Sequence, residues 1–125
     1  MPGAEAFGVV DHGVEPPLVG FLDQPAPATA ELLALAAPLR PTEVFRFAAP
    51  CQGETCAHWS GASCHLVDRV VEGLAPAVAS LPACRVRHDC RWFAQRGRDA
   101  CLRCPQIVTQ NEHPSDAMRD AADPA

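Results

Sequence analysis

Seven cysteines fall within residues 51–104 of this 125-residue chain. Their spacings are Cys51-x4-Cys56-x7-Cys64 and then, after nineteen residues, Cys84-x5-Cys90-x10-Cys101-x2-Cys104. Thiolates bind soft and borderline metals, and two sulfurs spaced as in Cys101-x2-Cys104 lie one helical turn apart, where they can share one metal or one cluster. The later group, Cys84, Cys90, Cys101 and Cys104, supplies four thiolates, enough for a tetrahedral zinc site or a 4Fe-4S cluster. The earlier group, Cys51, Cys56 and Cys64, supplies three, and His58 or His65 stands close enough in sequence to act as a fourth metal ligand. The expectation is two separable centres, the later complete and the earlier weaker.

Spacing also bears on the choice of metal. Zinc ribbons and fingers show two close Cys pairs, or a Cys pair and a His pair, and only Cys101-x2-Cys104 is close here. The ending Cys104-Pro105 resembles that of bacterial ferredoxin motifs, and Cys51-x4-Cys56 resembles the opening of the plant-type spacing, although neither motif continues. Trp59, Trp92, Phe93, Ile107 and Val108 around the cysteines suit the apolar shielding of a cluster. The leading reading is therefore an iron-sulfur protein with one or two clusters of the 4Fe-4S type, working in electron transfer or redox sensing. A structural zinc-binding interaction module is the alternative. A third reading is an enzyme with an open iron position at the three-Cys site.

The strings CAHWSGASC and CRWFAQRGRDACLRCPQIVT, within residues 45–109, resemble short Cys-rich bacterial proteins of unassigned function with predicted metal or iron-sulfur binding. That resemblance implies a cofactor and no particular reaction. Other roles are available to single residues. A lone Cys, Cys84 or Cys51 first, can serve as a small core hydrophobe, Cys101 and Cys104 can form a thioredoxin-like redox pair, and the histidines can be solvated. Gly-x-Ser-x-Gly, Walker and dinucleotide signatures are absent, so the sequence does not indicate an enzyme.

Charge is uneven. The net charge of -5 comes with ten basic residues, all Arg, against fifteen acids. Six of those arginines, Arg85, Arg87, Arg91, Arg96, Arg98 and Arg103, coincide with the later cysteines. They are expected either to balance a cluster's negative charge or, with the Pro-rich N-terminal arm, to dock a protein partner. An acidic chain argues against nucleic acid. The first residues, MPGAEAFGVVDHGVEPP, lack the basic and apolar regions of a secretory signal, and the longest apolar stretch is too short to span a bilayer. A soluble, cytoplasmic protein is expected, in which thiols stay reduced.

These residues must be positioned by rather little structure. With 13 Pro, no Tyr and few aromatics, the core is small, and crosslinks or metal should do much of the organising. The expected fold class is mainly α: a loop-rich metal-organised domain over residues 41–109, preceded by an extended Pro/Ala-rich arm over 1–40 and followed by a disordered acidic tail over 110–125. Within the arm, Thr29 should cap a short helix over 30–37. EVFRFA at 43–48 alternates like a strand. Leu66, Val67, Val70, Val71 and Leu74 recur at helical spacing. A further helix over 90–96 is expected, capped by Asp89 and closed by Gly97, followed by a turn capped by Asp99 that carries Cys101 and Cys104.

Overall fold

The computed structural model describes residues 3–109 and 114–124. The first element pair corrects the expected arm. β1 (Glu5–Asp11) and β2 (Leu18–Pro27) form an antiparallel hairpin, and β3 (Phe45–Ala48) pairs with the other edge of β1, giving the order β2-β1-β3. Of the Pro and Gly residues that suggested an unstructured arm, Gly13, Pro16 and Pro17 lie in the connection after Asp11, where the Gly13 N–H donates to Asp11 Oδ1 at 2.8 Å, while Gly8, Gly20, Pro25 and Pro27 lie within the two strands. Val9, Val10, Val19 and Phe21 supply the β-branched and aromatic content that a pleated surface favours.

Both pairings of β1 shift register between Ala6 and Gly8, leaving Phe7 at a bulge. Ala6 is then fully buried in a small core with Ala36 and Phe45, while Phe7 lines a cavity shared with the cysteines. Gly8 is required by close approach, since a Cβ there would lie 2.5 Å from Val19 Cγ1. α1 (Ala30–Ala34) follows, with Thr29 Oγ1 accepting from the Leu32 N–H, and α2 (Pro41–Val44) leads into β3.

The second half carries the cysteines. A short hairpin, β4 (Trp59–Ser60) with β5 (Ser63–Cys64), turns at Gly61 (φ 65°) and leads into α3 (His65–Gly73). The apolar face of α3 is the one its spacing predicts: Val67 and Val70 are 0% and 1% exposed, and burying each contributes about 1.5–3 kcal/mol. Val67 packs with Cys64, Ala100, Trp59 and Trp92, and Val70 packs with Leu74, Ala121 and Met118. α4 (Arg91–Arg96) and α5 (Arg98–Arg103) are separated by Gly97 at φ 61°, a backbone conformation that a Cβ resists. The expected side-chain caps are replaced: the Asp89 side chain pairs with His88 at 3.1 Å, Cys90 is the N-cap of α4, and Gly97 is the N-cap of α5.

Among the described residues the chain is thus mixed α and β with two small antiparallel sheets, and not mainly α. The tail expectation is also corrected over part of its length. Residues 116–122 form α6 (Asp116–Ala122), capped by Ser115, and its Ala121 is buried against α3. Arg69 Nε donates to the Ala121 carbonyl at 2.8 Å. The remaining tail positions 110–113 and 125 lie outside the described residues. Among the described residues no helix is long and apolar enough to cross a membrane.

Candidate metal or cluster site

All seven cysteines, from both sequence groups, line one cavity of about 830 Å³, a size typical of cofactor pockets. None is in a disulfide. Cys51 and Cys56 flank a single 3-10 turn over Gly53–Thr55, Cys64 ends β5, Cys84 and Cys90 bracket the loop before α4, and Cys101 and Cys104 occupy α5 and the turn after it. The sheet also contributes to the lining, through Phe7, Phe21, Arg46 and Phe47. The N-terminal strands are therefore part of the site.

Two of the later four cysteines, Cys104 and Cys101, have shifted thiol pKa values. Burial pushes the Cys104 thiol up to about 11; the nearby Arg46 guanidinium pulls against this, while charge on Cys90, Cys84 and Cys101 adds to it. Cys101 is raised in the same way, first by burial, opposed by a hydrogen bond and positive charge from Arg87, and raised further by Cys90 and Cys84. Desolvation disfavours each lone thiolate. A metal or cluster that neutralises the set relieves that cost, and binding then releases protons. Cys51 is exposed and Cys56 half-buried, whereas Cys64 is buried in the core of the α3 lobe.

The two histidine candidates differ. His65 is exposed at the start of α3 and does not line the cavity. His58 does line it, but its Nδ1 lies 2.7 Å from Arg69 Nη2. An arginine only donates, so Nδ1 is the acceptor and a neutral ring carries its proton on Nε2. Burial, with the Arg69 charge beside it, holds the His58 pKa below the ordinary value. Ligation through Nε2 then requires loss of that proton or release of Arg69. Among the described residues no three His, Cys, Asp or Glu side chains come together as a set able to hold a single metal ion.

Gln95 is a positioning residue that cysteine spacing could not reveal. Its Oε1 accepts from the Cys64 N–H at 2.9 Å and its Nε2 donates to the Cys64 carbonyl at 2.7 Å. Nε2 also reaches Asp68 at 3.1 Å. One amide thus fixes the backbone of Cys64 to α4, the helix that begins at Cys90. Arg46 was equally hidden. It is the polar residue of an alternating strand, and its guanidinium lies between the rings of Phe7 at 5.7 Å and Trp92 at 5.4 Å while donating to the Ile107 carbonyl at 2.9 Å.

The six arginines of residues 85–103 are engaged inside the chain. Arg85, Arg87, Arg91, Arg98 and Arg103 donate to the carbonyls of Asp23, Pro82, Ala62, Ala79 and Leu74, and Arg96 pairs with Asp68 at 2.9 Å. Pro82, Ala62 and Ala79 lie in loops, Asp23 in β2 and Leu74 at the C-cap of α3, so the guanidinium groups satisfy carbonyls in several kinds of segment. Arg91 lies 4.5 Å from the Trp59 ring and Arg87 lies 5.7 Å from that of Phe93. Compared with family models, with curated proteins and with solved structures, the chain shows no match.

Proposed function

We propose that the chain binds an iron-sulfur cluster in this cavity through Cys84, Cys90, Cys101 and Cys104, and serves in one-electron transfer or redox sensing. The observation that carries the reading is the convergence of seven thiols, scattered over residues 51–104, on one cavity walled by aromatic and arginine side chains. A single zinc ion draws its thiolates to about 3.8 Å from one another, from the tetrahedral bond length. A multi-iron cluster holds its cysteines further apart, on separate corners, and suits thiols distributed over a wall. An all-thiolate cluster is anionic, and Arg46, Arg87 and Arg91 in the lining offset that charge. The exposed Cys51 opens the same cavity to solvent, which supports electron exchange with a donor or acceptor from outside.

Cys51, Cys56 and Cys64 then either complete a second, weaker centre or remain as cavity thiols. Protein isolated without oxygen is expected to be brown, to contain iron and acid-labile sulfide, and to bleach on reduction. Colourless protein with stoichiometric zinc and no sulfide would refute the cluster and favour a structural zinc module. Metal and sulfide counts on Cys104→Ser and Cys56→Ser divide the ligands: the first should remove the tightly held centre, and the second should leave it in place.

A further inference from the structure

We infer that Arg46, supplied by the sheet, is a positioning residue that holds a fixed positive charge beside Cys104 and so sets the reduction potential of the centre proposed above, on which this inference rests. Arg46 lines the cavity together with Cys104. Its guanidinium is held between two rings, one from β1 and one from α4, and its Nη1 donates to the carbonyl of Ile107, three residues beyond Cys104. The charge therefore has little freedom to withdraw when the centre changes state. That charge opposes the rise that burial imposes on the Cys104 thiol.

The other charges around the cavity act from separate positions. Arg87 is committed to the Pro82 carbonyl and to Cys101, and Arg91 to the Ala62 carbonyl and the Trp59 ring. Glu5 and Asp89 are the acids in the lining and act in the opposite sense. When the cluster accepts one electron from an external donor such as dithionite, no bond forms or breaks and its net charge falls by one. A fixed cation stabilises the more negative, reduced form. Removing that cation favours the oxidised form and lowers the potential.

The test is a redox titration, followed by visible absorbance, of anaerobically purified wild type, Arg46→Met and Arg46→Lys, each with its iron and sulfide counted. Arg46→Met is expected to shift the reduction equilibrium about tenfold toward the oxidised form, about 59 mV for one electron. Arg46→Lys keeps the charge and should stay within about twofold of wild type, or about 18 mV on the same scale. A loaded Arg46→Met protein with the wild-type potential and only a lower melting temperature would show Arg46 to be a structural tie and overturn the inference. Should Arg46→Met fail to load, the lysine variant decides, because a tenfold shift with the charge retained contradicts a charge effect. Wild type lacking iron and sulfide overturns the cluster reading and this inference together, whereas an unresponsive potential in loaded protein overturns this inference alone.

Discussion

Replacing Gln95 should loosen the earlier cysteine group while leaving the later one intact. The side chain makes three hydrogen bonds, at 2.9 and 2.7 Å to the two backbone groups of Cys64 and at 3.1 Å to the Asp68 carboxylate. Neutral bonds of this kind contribute about 0.5–1.5 kcal/mol each and a bond to a charged group about 1.5–3 kcal/mol. The gross sum is about 2.5–6 kcal/mol, and because Asp68 keeps Arg96 and water can reach part of the site, about 2–3 kcal/mol is expected for Gln95→Met, which keeps the volume. Gln95→Glu should cost more: the new carboxylate can still accept from the Cys64 N–H, but it confronts the Cys64 carbonyl and Asp68 with negative charge. Urea denaturation is the assay. Trp59 pairs with Cys64 in the small hairpin and Trp92 lies on α4, so fluorescence reports both sides of the contact. For a domain stable by about 5–15 kcal/mol, such a loss lowers the midpoint well beyond measurement error. A midpoint shift corresponding to less than about 0.5 kcal/mol for Gln95→Met, or equal effects of Met and Glu, would refute the clasp. Thiol labelling adds a second readout: Cys64 should become reactive in Gln95→Met while Cys104 stays protected.

Gly8→Ala is expected to destabilise by about 1–3 kcal/mol through overpacking against Val19, whose Cγ1 would lie 2.5 Å from the added carbon; an unchanged melting temperature would show that β2 yields without cost. In metal-free protein, Cys104 is raised from 9.0 to about 11 in the folded state, so folded protein holds that proton more tightly than the unfolded chain does. The associated stability, roughly 2–3 kcal/mol, is fully present below pH 9 and should disappear as pH rises to about 11. Denaturation midpoints measured across that window should fall for wild type and vary less for Cys104→Ala.

Some of this architecture could be read directly from local pattern. The period of Leu66, Val67, Val70 and Leu74 was enough for α3, because an amphipathic helix declares its buried face in consecutive residues. Thr29 as a cap and Gly97 as a left-handed break are likewise local, since each depends on one residue's own acceptor oxygen or its missing Cβ. The seven thiols were candidates from residue type alone. The sheet did not show itself, because the strand character of residues 5–11 and 18–27 lies among Pro and Gly residues that also punctuate loops. What made these segments strands was their pairing with each other and with Phe45–Ala48, a contact across the chain. The same holds for α6, whose acidic, Ala-rich sequence resembles a solvated tail until Ala121 meets α3 and Arg69.

The site divides along the same line. Sequence separated the cysteines into groups of three and four, and the two thiols that burial raises, Cys104 and Cys101, both belong to the four. Only tertiary structure brought the three to the same cavity, left His65 outside it, and turned Nδ1 of His58 toward Arg69. Only tertiary structure decided what the arginines do, because a guanidinium finds a carbonyl or a ring at any sequence distance: Arg46 reaches Ile107, 61 residues away, and Arg85 reaches Asp23, 62 residues away. Residue type fixes which bonds a side chain can make, and the packing of the sheet against the helices decides which partner comes within reach.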